Sequence, residues 1–220
     1  MQRYFHEELE EIRSKLIRMS EKAREVGQLA LEGFVECDLE KAERALVMDD
    51  EIDALEVEID RDAVRYITLR GPVSSDVRLI LVAIKASHDI ERVGDEAHSI
   101  AKRTSSILRR EGKVFQPVAI AEMGEIAFSM LGDAITAFIE GDSELARSIV
   151  HRDSEVNRLN RKNYKTLSSE LDGELDNELS EASTQIKIIF ISKSIERIAD
   201  HAKNLAEEVI YLQTGDYHNS

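Results

Sequence analysis

The sequence contains little cysteine and no long apolar run. Its one cysteine, Cys37, cannot form a disulfide within the chain, which favours a reducing compartment. The most apolar run, residues 79–84, is far shorter than the roughly 20 residues that cross a bilayer. The amino-terminal residues show no apolar stretch after a basic start. We therefore expect a soluble protein of the cytoplasm, without a membrane span or a secretory leader.

Basic residues are also scarce, and common enzyme motifs are missing. Lysine and arginine number 29 against 44 aspartates and glutamates, which gives a formal charge of -15 and a pI near 4.9. Nucleic acid is then a poor partner, whereas cations and basic protein surfaces are better ones. The sequence has no glycine-rich phosphate loop and no Gly-x-Ser-x-Gly motif. We therefore do not expect an enzyme that depends on either motif.

The sequence has only two prolines, and its apolar residues recur at steps of three and four. That spacing is typical of amphipathic helices, and no segment shows the strict alternation of a strand. Asp38 suits a helix N-cap, and Gly71-Pro72 is the clearest break in the first half. The helices predicted in the first half cover residues 6–36, 38–70 and 73–110. The fold class should be all-α.

The sequence contains an internal repeat of two copies. Residues 87–102 return as residues 192–207 with a shift of 105, and earlier positions return with a shift of 104. The polar positions that recur include Glu91, Arg92 and Asp95, which become Glu196, Arg197 and Asp200. Six long helices in two tandem three-helix bundles, packed end to end or side by side, are the simplest architecture. We expect the bundles to cover residues 1–112 and 113–220.

The repeated acids are candidate metal ligands. Glu91 and Asp95 are four residues apart on one helix face, as are Glu196 and Asp200, so each pair could share an ion. Helix geometry places these acids away from the stripe expected in the core, which contains Ile90, Gly94, Ala97, Ala101 and Leu108. An apolar row on the same outer face precedes four potential ligands: Val77, Leu81 and Ile84, then His88, Glu91, Asp95 and His98. The alternative is a charged face that binds no metal and whose acids form ion pairs with Arg92 and neighbouring lysines.

The second helix offers further carboxylates, Asp49 and Asp53, against the third helix. In the second half Asp153 matches Asp49, but Asn157 replaces Asp53. Oxygen ligands of this kind suit magnesium, manganese or iron rather than tetrahedral zinc. Arg92 and its counterpart Arg197 are better explained as structural ion pairs to an acid on a neighbouring helix.

These motifs resemble the PhoU family of phosphate-uptake regulators. The resemblance covers nearly the entire chain and is carried by the paired Ile-Glu-Arg-[Val/Ile]-[Gly/Ala]-Asp-x-Ala segments, by Asp49-Asp-Glu-Ile-Asp53 and by Pro72-Val-Ser-Ser-Asp-Val-Arg78. It implies tandem three-helix bundles, often dimeric, whose outer acidic pairs hold multinuclear clusters of metal ions such as iron, manganese, magnesium or zinc. The implied ligands are Asp49, Asp53, Glu91 and Asp95 for one site, and Asp153, Glu196 and Asp200 for the other. Asn157 departs from the family pattern, so the second site is expected to hold fewer ions or none.

The resemblance also implies a regulator and not an enzyme. Such proteins are expected to link the ATPase subunit of a phosphate ABC transporter to a phosphate-sensing histidine kinase, and to repress the phosphate-starvation response when phosphate is ample. The homodimer would reach the membrane only through these partners, and it would not bind nucleic acid.

Three other interpretations stay open at the level of sequence. A ferritin-like di-iron carboxylate oxidase needs two Glu-x-x-His motifs directed into the core, and the nearest match is a single Asp95-x-x-His98. A phosphotransfer domain is suggested by Ser87-His88-Asp89, although the repeat has Lys193 in place of His88. The third is a helical scaffold that binds no metal.

Overall fold

The helices account for almost all of the described chain. A computed structural model describes residues 2–48, 50–113, 119–173 and 179–216 of the chain, and within these ranges it contains helices and no strand. In chain order the helices are α1 Gln2–Val35, α2 Leu39–Leu46, α3 Asp50–Arg70, α4 Ser74–Glu111, α5 Ile120–Glu140, α6 Ser143–Gly173 and α7 Leu179–Thr214. The predicted all-α fold with two three-helix repeats is therefore confirmed. Among the described helices, none combines the length and the apolar character that a membrane span requires.

The turn after the first helix of each half has the same construction. Asp38 caps α2 by accepting a hydrogen bond from the Lys41 backbone N–H at 3.1 Å, as predicted. Its counterpart Asp142 accepts from two backbone N–H groups at the start of α6, each at 3.0 Å. The residue before each cap is left-handed, with φ of 56° at Cys37 and 68° at Gly141. The turn is therefore reproduced in both halves, although only the second has the glycine that this conformation favours.

The second of the six predicted helices is interrupted once. The Val47 N–H bonds to the Arg44 carbonyl at 3.2 Å, three residues back, so the last turn of α2 tightens and the helix ends. The chain restarts at Asp50 with acidic residues in its first turn, where the helix dipole favours negative charge. In the second half α6 runs without a break. The continuous helix predicted over residues 38–70 is therefore corrected to α2 and α3.

The two halves pack side by side. Helices α1 to α4 form one bundle and α5 to α7 the other, with α4 against α7 and α1 against α5. The main core is one continuous cluster of buried side chains that includes residues from both bundles. All five residues of the predicted core stripe on α4 are buried: Ile90, Gly94, Ala97, Ala101 and Leu108. The predicted division between residues 112 and 113 falls in the connection from α4 to α5.

Ion pairs set the register between the central helices α4 and α7. Lys85 lies opposite Glu208, with Nζ and Oε1 3.0 Å apart, and Glu96 lies opposite Arg197 at 2.9 Å. The two helices are therefore antiparallel, and the same register places Gly94 opposite Ala199. The sequence repeat relates these two residues to each other, and both are small and buried. A pseudo-twofold axis therefore passes close to this point.

Candidate metal centre

One group of potential ligands comes together in the first half. Glu56 lies on α3, and His88 and Glu91 lie on α4. One donor atom from each residue lies within 4.8 Å of the others, and the described ranges contain a single group of three that meets this distance. His88 Nδ1 is 3.4 Å from Glu56 Oε1. Two carboxylates and an imidazole in this arrangement can coordinate a divalent cation.

Glu91 has the least exposed side chain of these three residues. Its side chain is only 17% exposed, and Arg92 Nε is 3.3 Å from its Oε2. This contact does not have the geometry of a hydrogen bond. Oε2 is therefore a buried oxygen without a hydrogen-bond donor. Burial raises the pKa of the Glu91 carboxyl above its usual value, and the charges of Asp95 and Glu56 raise it further against the opposite effect of Arg92. A bound cation would relieve both the lost hydration and the missing partner.

The remaining predicted ligands of the first half lie outside this group. Asp95 is exposed, and its Oδ2 accepts from Arg92 at 3.0 Å. Asp53 is exposed on α3, and Asp49 lies outside the described residues. The expectation that the acids face outward holds for Asp53 and Asp95, whereas Glu91 is half-buried.

Sequence reasoning did not single out Glu56. It lies one helical turn beyond Asp53 on α3, so the three-residue spacing of two acids was the signal that could have indicated it. The sequence predicts His88 on the outer face of α4, and in the structure this residue lies beside Glu56.

The predicted acids of the second half also approach one another. Asp153 lies on α6, and Glu196 and Asp200 lie on α7. Burial raises the pKa of the Asp200 carboxyl, and the charges of Asp153 and Glu196 raise it further, partly offset by Lys193 and His201. Asp153 Oδ1 is buried without a hydrogen bond. The second half therefore keeps three carboxylates at the positions that the repeat predicts, and the charges of two of them act on the third.

The surroundings of these acids differ from those in the first half. The Lys193 ammonium contacts the Glu196 carboxylate directly, and Asn157 Nδ2 donates to Asp153 Oδ2 at 2.9 Å. Asn160, at the position equivalent to Glu56, accepts from the Ser192 hydroxyl at 2.8 Å. An ammonium and two amides therefore stand where the first half has an imidazole and two carboxylates.

The two arginines of the repeat pair differently. Arg197 reaches Glu96 on the neighbouring helix α4 at 2.9 Å, as expected for a structural ion pair. Arg92 instead pairs with acids of its own helix, Glu91 and Asp95, so the expected contact to a neighbouring helix is corrected there.

Apolar residues lie about three helical turns before the repeated glutamates on the same two helices. Leu81 is 44% exposed on α4, and Ile186, its counterpart in the repeat, is 46% exposed on α7. Val77 and Ile84 of the predicted apolar row are half-buried. Each half therefore presents an exposed aliphatic side chain on the helix that carries its repeated acids.

Comparison with known proteins gives consistent results. The chain is 34% identical over 211 residues to a phosphate-specific transport system accessory protein PhoU homolog of Pseudomonas putida, which covers 96% of this chain and 81% of that protein. It is 36% identical over 210 residues to the Aquifex aeolicus protein of the same name, covering 95% and 92% of the two chains.

Solved structures have the same fold. The crystal structure of PhoU from Pseudomonas aeruginosa has a TM-score of 0.90 at 33% identity and covers 96% of this chain and 100% of that one. The phosphate transport system regulatory protein PhoU from Streptococcus pneumoniae has a TM-score of 0.83 at 28% identity and covers 98% and 100%.

The PhoU domain itself matches the chain twice, at residues 16–104 and at residues 120–209. Each match spans one of the two bundles. PhoU proteins form a family of accessory and regulatory proteins and not of enzymes, as the resemblance implies for this chain. The two domain matches, the relatives above 30% identity over nearly all residues and the shared fold all agree. They show that the chain belongs to the PhoU family.

Proposed function

We propose that this protein regulates phosphate uptake and phosphate-starvation signalling from the cytoplasm. It docks on the ATPase subunit of a phosphate ABC transporter and on a phosphate-sensing histidine kinase, and it represses the starvation response when phosphate is ample. Related accessory proteins of phosphate transport support the coarser part of this role. The observation that carries the finer part is that the half-buried carboxylate of Glu91 and the exposed side chain of Leu81 lie on the same helix, α4.

The first-half group fits a metal ion. Glu56, His88 and Glu91 would hold it, and Asp53 and Asp95 lie on the same two helices as further ligands of a multinuclear cluster. The imidazole favours iron, manganese or zinc over magnesium, which prefers oxygen ligands alone. A bound ion supplies positive charge at the surface of an acidic protein. The chain's own residues position that charge on the same helix as the apolar row, of which Leu81 is exposed and Val77 and Ile84 are half-buried.

The metal would act on docking through electrostatics. Without an ion, the excess of carboxylates repels an acidic partner surface, and Glu91 has the flanking Arg92 as its counter-charge but no hydrogen bond to its buried Oε2. With an ion, the same surface combines a neutralised polar patch with exposed aliphatic side chains, which suits a buried protein interface. The homodimer belongs to the same proposal, and sedimentation equilibrium of the metal-loaded and chelated protein measures it.

Binding to the two purified partners tests the proposal. We expect Glu91→Gln and Glu196→Gln together to weaken binding of the ATPase subunit or the kinase by at least about tenfold, equivalent to about 1.4 kcal/mol. Glu140→Gln, which removes an exposed glutamate at the end of α5, is the matched control. Unchanged binding of both partners by the double variant would refute docking at these surfaces.

The same assay tests the interpretation as a metal-free scaffold. If the protein binds no metal, a chelator would leave partner binding by the wild-type protein unchanged. The phosphotransfer interpretation predicts label on His88 after incubation with a labelled phosphodonor, and loss of that label in His88→Gln. We expect neither result.

A further inference from the structure

We propose that metal binding is confined to the first half, and that the Lys193 ammonium takes the place of the ion in the second half. This inference rests on the proposed metal site of the first half and concerns its counterpart. The fold duplicates the position, but the side chains around the second position have been exchanged for groups that compensate the acids without an ion.

Three exchanges separate the two positions. In the register of the repeat, Lys193 replaces His88, Asn160 replaces Glu56, and Asn157 replaces Asp53. Each exchange removes or weakens a potential ligand: an ammonium has no lone pair, and a neutral amide oxygen attracts a cation less strongly than a carboxylate does. The described residues bring three ligands within 4.8 Å only where these exchanges have not occurred.

The lysine is positioned as a permanent counter-ion. Its ammonium contacts Glu196 directly, and the lysine side chain is 48% exposed whereas that of Glu196 is 13% exposed. The more exposed ammonium is therefore paired with the less exposed carboxylate, as a bound ion would be. Its charge also opposes the repulsion that Asp153 and Glu196 exert on Asp200. The second half thus obtains a positive charge from within the chain.

The side-chain amides of Asn157 and Asn160 already form hydrogen bonds with neighbouring groups. Asn157 donates to Asp153 at 2.9 Å, and the Asn160 oxygen accepts from Ser192 at 2.8 Å. The Ser192 hydroxyl in turn accepts from Asn163 at 3.1 Å. A metal ion at this position would have to break this network as well as displace the lysine. The two outer surfaces therefore differ: the first depends on the supply of metal, and the second has a fixed charge.

Manganese titration of the complete chain, with free ion counted by electron paramagnetic resonance, tests the inference in two arms. In the first arm, Glu91→Gln is expected to lower the affinity of the wild-type site at least tenfold, and Glu196→Gln to leave it within twofold. In the second arm, Lys193→Ala is expected to add a binding site that the wild-type protein lacks. Lys187 lies on the same helix and donates to Ser106 instead of contacting an acid. Lys187→Ala removes the same charge, so this control variant should bind manganese as the wild type does.

A stronger gain of binding is expected when the first-half ligands are installed in the second half by Lys193→His with Asn160→Glu. Circular dichroism of each variant checks that the helices are retained. Equal loss of manganese in Glu91→Gln and Glu196→Gln would overturn the inference while the proposed metal role stands. Manganese bound by Lys193→Ala but not by the wild type would support the role of Lys193 alone, and would overturn the confinement of metal to the first half together with the proposed metal role. No binding by any variant would overturn both.

Discussion

Asp89 on α4 and His201 on α7 lie 2.8 Å apart, carboxylate Oδ1 to ring Nδ1, and Asn204 donates to the same oxygen at 3.1 Å. These contacts join the two bundles beside their pseudo-twofold axis. The repeat relates His201 to Glu96, which instead pairs with Arg197. Equivalent positions of the two central helices therefore form different polar contacts, so the duplicated sequence builds an interface that is not itself symmetric.

Asp89→Ala is predicted to destabilise the protein by about 1–3 kcal/mol, because it leaves the half-buried His201 without its acceptor. Denaturation by urea, followed by circular dichroism, measures the difference. Asp60→Ala removes an exposed carboxylate on α3 and should change stability by no more than about 0.5 kcal/mol. Equal effects of the two substitutions would show that the contact adds nothing to the interface.

Gly27→Ala is predicted to destabilise the contact between α1 and α5. A Cβ at Gly27 would overlap the ring of Phe128, and overpacking of this kind costs about 1–3 kcal/mol, which exceeds the gain of about 1 kcal/mol in helix propensity. At Gly132 on α5 the new Cβ would meet only the tip of the Arg24 side chain, at 3.1 Å. Gly132→Ala should therefore raise the melting temperature while Gly27→Ala lowers it. A rise in both variants would show that the helices separate at little cost.

Asp200→Asn is predicted to raise the melting temperature of the metal-free protein at neutral pH. Burial, with the charges of Asp153 and Glu196, raises the folded-state pKa of Asp200 above its unfolded value. The ionised carboxylate therefore costs stability above the folded pKa, and this cost disappears as the pH falls through that pKa. The advantage of the variant should shrink as the pH approaches the ordinary value of about 4.

The control for this pH series is Asp95→Asn, which removes an exposed carboxylate at the equivalent position of the first half. Exposed ion pairs contribute little, so its melting temperature should stay close to that of the wild type. A lower melting temperature for Asp200→Asn at neutral pH would mean that Lys193 compensates the cluster completely.

The sequence predicts those features that depend on local chemistry. The cap at Asp38, the break at Gly71 and the buried stripe through Ile90 follow from backbone preferences and helix periodicity, and the structure confirms them. The interruption after Leu46 could not be read in the same way, since no proline or glycine marks it.

Contacts between distant segments escaped prediction for a related reason. Glu56 joins His88 across two helices, and Asp89 joins His201 across two bundles, at sequence separations of 32 and 112. Helix periodicity fixes the face on which each residue lies but not the register between helices. The choice between end-to-end and side-by-side packing depends on the same information, which only the assembled core supplies.

The most direct test of the proposed metal centre is the metal content of the complete chain, purified without chelator or affinity metal and measured by elemental mass spectrometry. We predict at least one transition-metal ion per chain, lost in Glu91→Gln and retained in Glu196→Gln. Protein that contains no metal, or that loses it only with Glu196→Gln, would contradict the assignment of Glu56, His88 and Glu91 as the ligands.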